Sequence, residues 1–109
     1  MLEISIRTLS VLLLIGAGLH GWGSLVSFRP KTPERVWSLG AAGFAALLAA
    51  LGWLLAGRND PELSWIVAAG CLGWLVTVGA FGRAIGNIAD PRVLYHLVVG
   101  LGLAITVLL

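Results

Sequence analysis

The sequence predicts an all-α integral membrane protein, an up-down four-helix bundle of four transmembrane helices, and three observations carry that prediction. All charged residues fall outside four predominantly apolar runs: Thr8 to Phe28, Val36 to Gly57, Leu63 to Gly82 and Val93 to Leu109. Each run is close to the roughly 20 residues that a helix needs to cross a ~30 Å hydrocarbon core at ~1.5 Å rise per residue. Composition agrees, since 59% hydrophobic and 11% charged residues depart from the roughly 25% charged of soluble domains. Finally, the connectors are short and hold all four prolines, so consecutive helices must run antiparallel.

A chain of 109 residues forms one domain, residues 1–109, with helices expected at 5–28, 33–57, 61–86 and 91–109. Arg7 ahead of an apolar stretch resembles a secretion signal. The stretch is too long, however, and Leu19-His20-Gly21-Trp22-Gly23-Ser24 contains no small-x-small cleavage pattern. It is read as the first helix. The other three open alike, on Thr32-Pro33-Glu34-Arg35-Val36-Trp37, Asp60-Pro61-Glu62-Leu63-Ser64-Trp65 and Asp90-Pro91-Arg92-Val93-Leu94-Tyr95. Thr or Asp caps free N–H groups, and Pro at the first helical position forfeits no hydrogen bond. The aromatic then falls about one turn further in, at headgroup depth, where Trp and Tyr are favoured. Gly57 is the expected stop of the second helix and the Gly82 to Gly86 region that of the third.

Orientation follows from basic residues in short loops. Connectors one and three hold Arg29, Lys31, Arg35, Arg83 and Arg92, whereas the opposite side holds Arg7 and Arg58. This bias puts both termini outside the cytoplasm of a bacterial inner (plasma) membrane. The net charge of +2 is dispersed over helix ends, which excludes a nucleic-acid surface. The lone Cys71 offers no disulfide framework and no zinc spacing, and reads as a packing residue.

Small residues suggest how the helices meet. In the second helix Ser38, Ala42, Ala45, Ala49, Gly52 and Ala56 follow 4-3-4-3-4 spacing, a stripe that lets another backbone approach closely. Leu47 and Leu48 fall off this stripe and are expected to face lipid. The same spacing in the third helix gives Ala69, Gly73, Val76, Ala80, Arg83 and Asn87, and the first helix has Gly16, His20, Gly23 and Ser27. Such seams suit packing within the chain, and also a homo-oligomer or a larger membrane complex.

Candidate chemistry lies where the seams become polar. The embedded runs contain no Asp or Glu, and the sequence has no nucleophile and base pair and no phosphate loop. No catalytic or metal residues are assigned. His20, Arg83 and His96 are expected in one leaflet, with Asn87 and Tyr95 nearby. Ionisable groups at membrane depth are costly, so they form a candidate ligand site. An anionic or quinone-like oxygen would suit Arg83. Trp74, near the bilayer midplane, would either line an apolar pocket or pack in the core. No cofactor is assigned, although His20 and His96 together would admit a bis-His haem if both rings faced one cavity.

Small multidrug resistance transporters share this size, but they rely on an embedded glutamate in the first helix, and no acid lies between Glu3 and Glu34. A closer likeness runs from Phe28-Arg29-Pro30 through Ser38-Leu39-Gly40-Ala41-Ala42-Gly43 and Phe81-Gly82-Arg83 to Asp90-Pro91 and the last helix. On these motifs the chain resembles the bacterial four-helix membrane proteins of domain-of-unknown-function family 4345 and, more loosely, the DoxX-like proteins. The resemblance implies a fold and a membrane location rather than an activity. Those groups often carry an acid early in the last helix that would pair with the Arg; here that region offers His96. The expected role is that of a structural or accessory subunit, with a small-molecule binder or transporter as the second reading and a haem protein or membrane enzyme as the third.

Overall fold

A computed structural model describes residues Met1–Leu109. It contains four helices, α1 (Leu2–Ser27), α2 (Pro33–Leu55), α3 (Pro61–Ala84) and α4 (Pro91–Leu108), each long and apolar enough to cross a membrane. The three Pro-led helices share one start. Thr32 Oγ1 accepts the Arg35 N–H at 3.3 Å, Asp60 Oδ1 the Leu63 N–H at 3.0 Å, and Asp90 Oδ1 the Arg92 N–H at 2.9 Å. Each cap satisfies one of the donors that a helix N-terminus leaves free.

α2 and α3 end slightly inside the expected limits, because their stop glycines lie beyond the last turn, whereas α1 begins at Leu2, ahead of the expected start at residue 5. Gly57 and Gly86 have φ of 79° and 70°, a left-handed conformation that costs an L-residue energy but not glycine. After α3, the Asn87 N–H returns to the Gly82 carbonyl at 2.9 Å and the Gly86 N–H to that of Arg83 at 3.1 Å, a Schellman closure.

Facing residues run in opposite directions along neighbouring helices. On α1 and α2, Ser24 meets Ser38 while Ser10 meets Gly52; on α1 and α4, Gly16 meets His96 while Leu9 meets Gly102. The helices form a ring in which α1 packs against α2 and α4, and α3 packs against α4. The α2–α3 seam is the thinnest side, and the backbones of the diagonal pair α1 and α3 do not approach one another. Leu13, Leu103, Val67, Val93 and Cys71 are sealed in the core. Only 25 of 109 residues are buried, so the outer surface is left to apolar side chains such as Leu14, Ile66 and Val98, each more than half exposed.

On α2, Ala42, Ala45, Ala49, Gly52 and Ala56 are buried and Ser38 is half-buried. Leu48 does not face lipid: it is 3% exposed, and its side chain occupies the space that a Cβ on Gly70 of α3 would need. Leu47 does lie outside, at 58%. The third helix departs further from expectation. Ala69, Gly73, Val76, Ala80, Arg83 and Asn87 are all exposed, whereas Val67, Cys71, Trp74, Val78 and Gly82 face inward. Burying the Trp74 indole turns α3 so that the stripe of Ala69, Gly73 and Ala80 points away from the bundle. On α1, Gly16 is buried and His20 and Gly23 are half-buried, but Ser27 is exposed and Ser24 takes the inward position.

Candidate functional site

Trp74 is the centre at which all four helices contribute an aromatic ring. His96 of α4 lies edge-on at 5.2 Å between ring centroids and His20 of α1 edge-on at 6.5 Å, with Phe44 of α2 tilted against the indole at 6.3 Å. Tyr95 packs edge-on against His96 at 5.5 Å. Edge-to-face contacts place positive ring edges on negative ring faces, contributing about 0.5–1.5 kcal/mol beyond area burial. Gly16 admits this cluster. A Cβ there would stand 2.7 Å from His96 Cε1 and 2.8 Å from Tyr95 Cε1, too close for any side chain.

Tyr95 does not take the outward, headgroup-level position that its place in the opening motif suggests. Trp37 and Trp65 do, at 79% and 67% exposed. The Tyr95 hydroxyl instead donates to the Leu12 carbonyl of α1 at 2.6 Å.

A second polar set fixes α1 to α2. Ser24 Oγ donates to the His20 carbonyl at 2.8 Å, Ser38 Oγ bonds to Ser24 Oγ, and His20 Nε2 lies 3.2 Å from Ser38 Oγ. A hydroxyl has one proton. With that of Ser24 committed to the carbonyl, Ser38 donates to Ser24, and His20 Nε2–H must donate to Ser38. The chain therefore requires a proton on His20 Nε2. Sequence reasoning missed Ser24, although its spacing of four from His20 on one helix face was the available signal.

Arg83 and Asn87 do not join the two histidines. Both are exposed; Arg83 makes no side-chain hydrogen bond or ion pair, and Asn87 Oδ1 accepts the Ala89 N–H at 3.1 Å. The ion pair on this side is local, with Arg92 Nε 3.0 Å from Asp90 Oδ1. Hydrogen bonding from that guanidinium holds the Asp90 carboxyl below the usual carboxylate range.

Two sealed atoms in the cluster have no hydrogen-bond partner, Trp74 Nε1 and His96 Nδ1. Leaving such a group unpaired costs about 1–3 kcal/mol. The indole packs against both imidazoles, so a haem ligated by His20 and His96 would have to displace it; the residues present do not fit that group. No three His, Cys, Asp or Glu side chains converge as metal ligands.

No protein-family model, curated protein or solved structure matches the chain.

Proposed function

We propose that the protein is a multi-pass protein of the bacterial inner membrane, a structural or accessory unit that associates with its own copies or with a larger membrane assembly. The observation that carries this reading is the outward face of α3. Ala69, Gly73 and Ala80 are exposed, and a Cβ on Gly73 would meet no atom within 4 Å. In lipid, helices associate by close packing, and small residues allow it. The apolar outer surface supports insertion, and the basic residues of connectors one and three support placing both termini outside the cytoplasm. The resemblance to family 4345 and the DoxX-like proteins is compatible with this role.

Cross-linking tests the association. In a Cys71→Ser background, Gly73→Cys should cross-link to a second copy or a partner in native membranes, whereas Leu101→Cys on α4 should not. Equal cross-linking at both positions, or none at Gly73→Cys, would overturn the reading.

A second reading, a small-molecule binder, is favoured by the unpartnered Trp74 Nε1 and His96 Nδ1. A polar ligand atom reaching either group would satisfy it, without the Arg83 contact expected from sequence. A small ligand retained through mild detergent extraction and lost in Trp74→Phe would support it; an identical extract from both proteins would remove it.

A further inference from the structure

A cavity of about 660 Å³ opens at the bundle end opposite the histidine cluster, where connector two meets the start of α1 and the end of α4. Its volume falls within the roughly 300–1,000 Å³ of small-molecule sites. The floor is apolar, formed by Ile6, Leu55 and Val107, and the rim carries Arg58, Asp60 and Ser64. We propose that this cavity binds the zwitterionic headgroup of a phospholipid, with the phosphate toward Arg58, the ammonium toward Asp60 and the acyl chain leaving over the apolar floor.

The rim charges are the first argument. Arg7, the other basic side chain at this end, is engaged: Glu3 lies 3.3 Å from its guanidinium, and the Trp53 ring centroid lies 4.5 Å beneath it. Arg58 makes no ion pair and no side-chain hydrogen bond. Asp60 uses Oδ1 to cap the Leu63 N–H, which leaves Oδ2 without a partner. Asp90 and Arg92, likewise two residues apart, close on one another at 3.0 Å, whereas Arg58 and Asp60 stay open. A headgroup with both charges complements the pair. A purely anionic one would meet Arg58 but face the Asp60 carboxylate, and like charges brought together disfavour binding.

The surroundings argue for a lipid rather than a free polar solute. Trp65 lines the same cavity and is 67% exposed, as expected of an indole at headgroup depth. Ile6, Leu55 and Val107 are each at least nine-tenths buried, so an acyl chain at the floor meets packed hydrocarbon. Pro61, Ser64 and Trp65 of α3 line the cavity, but the proposal does not rest on lateral association through that helix.

Titration of the purified protein in non-ionic detergent tests the proposal, with binding followed by native mass spectrometry. The probes are lysophosphatidylethanolamine, lysophosphatidylglycerol and glycerophosphoethanolamine, the last being the headgroup without its chain. One lysophosphatidylethanolamine should bind, more tightly than either other probe. Arg58→Gln should weaken it about tenfold, the loss of one charge-assisted contact. Asp60→Asn keeps the helix cap and should erase the preference over lysophosphatidylglycerol. Val107→Trp should block binding by filling the floor, and unchanged melting temperatures for Arg58→Gln and Asp60→Asn would separate lost binding from lost folding. Glycerophosphoethanolamine binding as tightly as the lipid, a preference of the unaltered protein for lysophosphatidylglycerol, or indifference to Arg58→Gln and Asp60→Asn would overturn the proposal.

Discussion

Tyr95 at the start of α4 donates its hydroxyl to the backbone carbonyl of Leu12 in the middle of α1, across 83 residues of sequence and 2.6 Å of space. The bond draws the two helices together where Gly16 leaves room for the ring. Tyr95→Phe keeps the ring and removes the donor. It should lower stability by about 1 kcal/mol, the net value of one such bond, measured by denaturation in detergent.

Gly16 is the complementary test. Gly16→Ala places a methyl against His96 and Tyr95 and should cost about 1–3 kcal/mol through overpacking. Gly18→Ala, where a Cβ would meet nothing, should be neutral or slightly stabilising through helix propensity. Equal melting temperatures for the two variants would remove the close approach of α1 and α4.

The hydrogen-bonded chain through His20, Ser38 and Ser24 should appear as coupling. A double-mutant cycle of His20→Ala with Ser38→Ala is expected to give about 0.6 kcal/mol, the average for interhelical bonds in membrane proteins. The pair Arg83→Ala and His96→Ala should be additive, because the structure gives them no shared partner.

Leu47 and Leu48 are neighbours with opposite surroundings. Leu48→Ala should cost about 2–5 kcal/mol by opening a cavity against Gly70, and Leu47→Ala, at the outer face, a small fraction of that. Similar melting temperatures would contradict the orientation of α2.

The Asp90 carboxyl, lowered by the hydrogen bond from Arg92, gives a pH dependence of known sign. A carboxyl depressed in the folded state adds stability that is fully present above its unfolded pKa of about 3.9 and is lost as pH falls through the lower folded value. Acidification across that window should therefore lower the melting temperature of the unaltered protein more than that of Asp90→Asn, which retains a cap. The difference should be small, because the Arg92 side chain is 71% exposed and water screens the pair. Parallel pH profiles would mean that the pair adds nothing.

The helices and their starts were legible because local chemistry decides them. Thr32, Asp60 and Asp90 cap the turn that follows whatever the rest of the chain does. The stripe from Ala42 to Ala56 was legible on α2, where its small residues lie inward. On α3 an equally regular stripe points outward, since spacing defines a face but not its direction. Trp74 decides the direction, because three rings, one from each of the other helices, gain from meeting it. The His20 network was hidden for a related reason: Ser24 and Ser38 are ordinary hydroxyls in sequence, and only antiparallel packing of α1 on α2 brings them together.

The thin α2–α3 seam gives the ring a clasp. The α1–α2 and α3–α4 hairpins are joined mainly along α1 and α4, so that line is the spine of a book whose covers meet where Phe44 touches Trp74 and Leu48 touches Gly70. Phe44 is 41% exposed on the outside of the seam and touches Trp74, which is 2% exposed behind it. Parting the covers on this side would break the fewest contacts, and it would turn the indole toward the bilayer rather than toward water.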